Sequence, residues 1–215
     1  MAVITYAGIQ TLAQIYLRSD SSDISGNLSL WANLVQLKVA QAARWQFMLA
    51  SDSLSLTVGA GSGPYTLSQT LVFPAKPGTG YPALEEGRWD QRYLYTAMAA
   101  GPPKIFVLVP GQPTQVLIYP APDQSYTLTF PYYAMPATLS DTSYLVVNFP
   151  MILVAGIVWE GMFYLGAIQD LQLWVPRFSM ELKALATSNL DAAEAAAFAQ
   201  TIYTMPQVPQ GAAGA

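Results

Sequence analysis

Three acidic residues stand close together at Glu85, Glu86 and Asp90. A polysaccharide hydrolase needs two carboxylates held at a fixed separation across the scissile bond, so this cluster is where hydrolytic chemistry would have to reside. Neighbours in a Pro- and Gly-flanked stretch are poorly placed for it. A solvated acidic face, paired with Arg88 or Arg92, is the better reading. The same residues make a weak cation site, because hard-ion loops alternate their ligands around a turn glycine. Gly59-Ala-Gly61-Ser-Gly63 resembles a phosphate cradle only in composition. Such a loop must open a helix so that its amides and dipole face the anion, yet Pro64 and a strand-like Tyr-Thr-Leu follow, which reads as a hairpin turn. Phe130, Tyr132 and Tyr133 have no basic neighbour of the kind that a nucleic-acid stacking platform uses, and they read as core. The chain has no His and no Cys. Thiol nucleophiles, disulfides, thiolate zinc sites and His-dependent triads are therefore excluded. No catalytic residue, cofactor or metal site is expected.

Composition points to binding. Of 215 residues, 53% are hydrophobic and only 10% are charged, against roughly a quarter charged in an ordinary soluble domain. Much of the surface is therefore expected to be buried against other chains or against lipid. The net charge is −4 and the nine Lys and Arg are scattered. No basic stripe is available for the counterion release that drives nucleic-acid affinity. Met1 to Tyr6 has neither a positive n-region nor an apolar h-region, so no signal peptide is expected. Residues 151–168 carry a single charge, Glu160, and lie near the lower length limit for a membrane span. Glu160, three glycines and the lack of flanking basic residues argue against a span. A helix buried in a protein assembly, packed against its own chain and a neighbour, is preferred.

The elements that position these residues follow from periodicity. A first helix is predicted over Thr5 to Arg18, with Ile9, Leu12, Ala13, Tyr16 and Leu17 on one stripe and Thr5 as cap. A second runs from about Leu28 to Leu49. The period then changes to two. Strands are predicted at Leu54–Val58, Tyr65–Phe73, Arg92–Met98, Lys104–Val109, Thr114–Tyr119 and Ser125–Tyr133, separated by turns such as Pro110–Pro113 and Pro120–Gln124. Pro131 argues for an edge strand or a bulge. Helix returns at Met151 to Ile168, with Asn148 as a candidate cap and Pro150 in the first turn. A further helical stretch covers Gln169 to Gln200, kinked or split by Pro176 near Trp174. No internal repeat is present. The expected fold is α+β: a helical bundle of about four helices with an inserted antiparallel β sandwich or barrel-like subdomain. The expected parts are an N-terminal helical pair (1–50), the β insertion (51–140), C-terminal helices (141–204) and an extended tail (205–215).

Order and spacing then carry a resemblance. Pro120 to Asp141 reads PAPDQSYTLTFPYYAMPATLSD, Val146 to Leu165 reads VVNFPMILVAGIVWEGMFYL, and LWVPRFSMELKAL follows with Trp174 and Arg177. With the N-terminal helical pair, this pattern resembles the head-to-tail adaptor (connector) proteins of tailed bacteriophages, most clearly from Lys104 to Leu185. Met151 directly after Pro150, and Pro176 in the helix after it, depart from the family's usual pattern. The resemblance implies a structural virion protein at the head-tail junction, assembled in the host cytoplasm. It implies a homo-oligomeric ring, usually of twelve copies, docked on the portal protein. The ring would extend the DNA channel, without specific DNA binding, and give a tail or nozzle protein its platform. The β insertion would face outward or tailward. Met205, Pro206, Gln207, Val208, Pro209 and Gln210 would reach the portal, and Trp31, Trp45, Trp159 and Trp174 are expected to pack between subunits. Two alternatives remain: a membrane-anchored protein using residues 151–168, and a β-domain polysaccharide hydrolase.

Overall fold

The computed structural model describes residues 4–18, 22–58, 61–74 and 84–203. The backbone divides into two units, with boundaries at Phe47/Met48 and Met135/Pro136. Among the described residues there are seven α-helices and two sheets, an α+β fold in which the sheets do not close into a barrel.

The helical unit begins with α1 (Tyr6–Leu17), which buries Ile9, Ala13 and Leu17. Thr5 caps it as predicted, its hydroxyl oxygen accepting from the Gly8 N–H at 3.1 Å. The Tyr6 N–H donates to Asp141, 135 residues away, at 2.6 Å, so a second orphan donor of the first turn is also satisfied. Helix α2 (Ser22–Ala42) starts earlier than expected and ends earlier. Its apolar row extends back to Ile24, buried with Leu28, Ala32, Val35 and Val39, although Ser, Asp and Gly dominate that stretch. It stops because the buried Trp45 folds back, its indole N–H donating to the Val39 carbonyl at 2.5 Å. After the β unit come α4 (Tyr144–Asn148) and α5 (Pro150–Tyr164), with Phe149, not Asn148, at the cap. Gly166, at φ +70°, ends the run before Ile168. Helix α6 (Ile168–Asn189) continues through Pro176 unsplit. The proline removes one donor, but Gln172, whose carbonyl it frees, is exposed to water. The break falls instead at Leu190, which is extended. Asp191 then caps α7 (Ala192–Tyr203), accepting from the Glu194 N–H at 2.8 Å.

The β unit holds β1 (Leu49–Leu56), β3 (Leu71–Pro74) and β7 (Tyr126–Ala134) in the order β1-β7-β3, and β2 (Tyr65–Thr66), β4 (Glu85–Glu86), β5 (Ile105–Leu108) and β6 (Gln115–Tyr119) in the order β2-β6-β5-β4. The β4–β5 pairing is parallel, so the second sheet is mixed and not antiparallel throughout. Strands β1 and β2 do not pair with each other; each belongs to a different sheet. The glycine run is thus a crossing between sheets, not a hairpin turn, and Gly61 and Gly63 adopt positive φ within it. Residues 92–98 do not form a strand. Trp89–Gln91 make a 3₁₀ turn that leads into α3 (Arg92–Thr96). Pro131 lies in the central strand β7, opposite Ser51 of β1. On its other side β7 pairs with β3 at Ala134, Tyr133 and Tyr132, with an irregularity between Leu71 and Phe73, so among the described residues Pro131 has a strand neighbour on one side only. The two sheets share one core of Leu54, Leu56, Phe106, Ile118, Phe130 and Tyr132 with their neighbours. Phe106 of one sheet meets Phe130 of the other edge-on at 5.2 Å.

Candidate interaction surfaces

In the helical unit α5 is the hub, packed by α1, α2, α4 and α6. Ile152 to Val158 are buried without interruption, so this apolar helix is covered by its own chain and needs no neighbour over its first turns. Glycine makes the approach possible. A Cβ on Gly156 would lie 2.5 Å from the Val35 side chain, and one on Gly161 2.7 Å from Leu17. Glu160, the single charge, pairs with Lys38 of α2, and the Lys38 ammonium lies 5.0 Å from the centre of the Trp159 ring. The helix has 15 residues, or about 22 Å at 1.5 Å per residue, against a hydrocarbon thickness of about 30 Å. Among the described residues no helix is long and apolar enough to cross a membrane, which overturns the membrane alternative for residues 151–168.

Apolar surface is left over elsewhere. On α2, Leu30 and Leu34 point outward. Phe163, Tyr164 and Leu165 are exposed at the end of α5, and Leu173 and Met180 (72% and 69% exposed) line α6. Trp31, Trp45 and Trp174 are buried within the chain, and Trp159 is half-buried. Trp31 backs the exposed Tyr164 with ring centres 5.6 Å apart. Trp174 lies edge-on to Tyr16 at 4.9 Å, with the Arg177 guanidinium 5.3 Å from its ring. Trp45 meets Phe198 of α7 and Trp159 meets Phe178.

In the β unit, Glu85 and Glu86 form the exposed strand β4, and Asp90 is taken by Arg88 at 2.9 Å. Arg92 is stacked 4.3 Å from the Trp89 ring. These carboxylates lie on open surface, one of them already neutralised, and the site offers no acid-base pair across a cleft. Helix α3 is moored by Tyr95, whose ring lies 5.7 Å from that of Tyr119. It presents Tyr93 and Leu94 outward, and Met98 is exposed just beyond its end. Phe130 and Tyr132 are core as predicted, and Tyr133 is half-buried. Among the described residues no group of three acidic side chains could hold a metal ion.

A family model described as SU10 adaptor protein matches residues 4–210. The chain belongs to the SU10 adaptor protein family. A comparison with the curated proteins finds no match. The family is consistent with the phage head-to-tail adaptors, which makes the chain a phage structural adaptor and a virion component and implies a non-enzymatic role.

Several of the residues that carried the resemblance have structural work in this adaptor. In the Leu139-Ser140-Asp141 triplet, Leu139 is buried, Asp141 caps α1, and the Ser140 N–H donates to the Ser143 hydroxyl at 2.9 Å. Asp123 accepts from the Tyr126 hydroxyl at 2.6 Å, fastening the turn before β7. Two polar residues that sequence reading missed are buried and satisfied. Gln36 donates to the Ala137 carbonyl at 3.0 Å and Asn189 to the Tyr144 hydroxyl at 3.1 Å. Ala137 and Tyr144 are distant in sequence and leave no local signal, although Asn189 also donates to its neighbours Ser188 and Leu185. The Asp191 cap had one: Asp-Ala-Ala-Glu is the spacing of a capping box. Met205 to Gln210 lie outside the described residues.

Proposed function

We propose that this adaptor assembles into a ring, of about twelve copies, that joins the portal to the tail and continues the DNA channel. Membership of the SU10 adaptor family over nearly the whole chain carries this reading. The exposed apolar faces support it. Leu30 and Leu34 on α2, and Leu173 and Met180 on α6, are exposed on two helices of one unit, and head-to-tail contacts that close into a ring need two such patches. On this reading the helices are the bundle of the ring body. Trp31, Trp45, Trp159 and Trp174 support subunit packing by fixing the residues around them, Trp31 behind Tyr164 and Trp174 beside Leu173. The β unit, read as a sandwich-like insertion, faces outward or tailward and takes a tail or nozzle protein. Residues 205–210 reach the portal. A net charge of −4 suits a channel through which DNA moves without sticking.

The test is electron microscopy of the purified protein, alone and mixed with portal, beside the variants Leu34→Glu and Met180→Glu. Rings from the wild type, and folded single chains from both variants, are expected. Wild-type protein that stays monomeric at every concentration and never joins the portal would reject the ring.

A further inference from the structure

Asp52 sits mid-way along β1, and its carboxylate reaches past β7 to the turn that opens β3. Oδ2 accepts from the Ser68 N–H at 2.6 Å and from the Tyr132 hydroxyl at 2.9 Å, and Oδ1 accepts from the Ser68 hydroxyl at 2.7 Å. The Tyr132 oxygen in turn accepts from the Gln69 N–H at 3.3 Å and lies 3.3 Å from the Ser68 hydroxyl. Ser68 to Thr70 is where the chain leaves β2 in one sheet and enters β3 in the other. Three donors converge on one anion and none of them is charged. On β1, β3, β7 and the 67–70 turn, Asp52 is the single acidic or basic side chain, and the other titratable groups are Tyr126, Tyr132 and Tyr133. Lys76, the only other charged residue between Trp45 and Leu84, lies outside the described residues.

We propose that Asp52 is a proton-operated latch: ionised, it fastens the Ser68–Thr70 crossing to β1, and protonation loosens that crossing while β1 and β7 stay paired. The chemistry of the donors sets this behaviour. A protonated carboxyl has one oxygen that must donate. The Ser68 hydroxyl can turn to accept, but the Ser68 N–H cannot reverse. The bonds persist without charge assistance, which roughly doubles hydrogen-bond strength. The β1–β7 pairing runs through eight residues in continuous register and does not depend on the carboxylate. Burial pushes the Asp52 carboxyl up, but the Ser68 hydroxyl, the Ser68 N–H and the Tyr132 hydroxyl outweigh it and hold the group below its ordinary value. The latch is therefore tight at neutral pH and slackens only in acid.

Hydrogen exchange read by mass spectrometry, corrected for the intrinsic pH dependence, tests the latch. At pH 7 the peptide containing Ser68–Thr70 should exchange about tenfold faster in Asp52→Asn than in the wild type, the difference expected between charged and neutral hydrogen bonds. The peptide containing Val116–Tyr119 should not change. On acidification the wild type should acquire the same acceleration, with a midpoint below the ordinary carboxyl range, and Asp52→Asn should stay flat. Tyr132→Phe, which keeps the anion and loses one donor, should move that midpoint upward and serves if Asp52→Asn does not fold. Equal protection in wild type and Asp52→Asn at pH 7, or a wild-type midpoint unmoved by Tyr132→Phe, would overturn the proposal.

Discussion

Single atoms decide how closely the helices of this adaptor approach. Gly156 faces Val35, and a methyl group added there would sit 2.5 Å from it, well inside van der Waals contact. Both residues are wholly buried on stiff helices, so neither side can give without moving backbone. Gly156→Ala should therefore destabilise the helical unit by about 1–3 kcal/mol, the usual cost of overpacking a filled core, despite the better helix propensity of alanine. Denaturant titration would show it, and an unchanged midpoint would mean that α2 can slide on α5. Asp52 gives the β unit a pH dependence of definite sign. Its folded value lies below the unfolded one, so its contribution is complete above about pH 4, the unfolded carboxyl value, and is lost as pH falls through the folded value. Melting temperature of the wild type should drop across that acid window, and that of Asp52→Asn should drop less. In the sequence Gly156 counts only as one of three glycines against a membrane span, and Asp52 falls before the predicted strand Leu54–Val58. Their roles depend on Val35 and Ser68, which no local pattern connects to them.

At the scale of elements, most helices and strands were legible and most boundaries were not. Helix α1 matched because its stripe and its Thr5 cap agree. Boundaries failed where a side chain from beyond the helix replaced the local rule, as when the Trp45 indole took the Val39 carbonyl and ended α2. Residues 92–98 read as a strand, yet Arg92–Thr96 form α3, which buries no residue completely. Without a second apolar face to cover, nothing there required a strand. Pro176 suggested a break in α6 that water access to Gln172 made unnecessary. The actual break depends on Asp191. Asp191→Ala should cost about 1 kcal/mol, as loss of a helix cap usually does. It should raise hydrogen exchange in the first turn of α7 while leaving α6 protected. Equal exchange in α7 before and after the change would show that the Phe198–Trp45 contact, at 5.3 Å, fixes that helix without its cap.

For the whole molecule the question is which surfaces meet other chains. On the reading that residues 205–215 reach the portal, their removal should leave the melting temperature unchanged and weaken co-sedimentation with portal. Loss of the fold on truncation would place the tail in the core instead. The amino-acid sequence by itself determined the broad terms. The absence of His and Cys removed whole classes of chemistry, the low charge called for buried surface, and element order carried the adaptor family. These are sums and periods, which do not depend on where the chain later meets itself. Tertiary structure alone decided which apolar residues are spent inside the chain and which remain outside. The packed helix α2 turns Leu30 and Leu34 to solvent while burying Trp31, Val35 and Val39. A helix richer in apolar residues than one neighbour can cover has more than one face to offer. Which face goes inward depends on shape, here on the gap that Gly156 and Gly161 leave for Val35 and Trp31, and that gap exists only once α5 is in place.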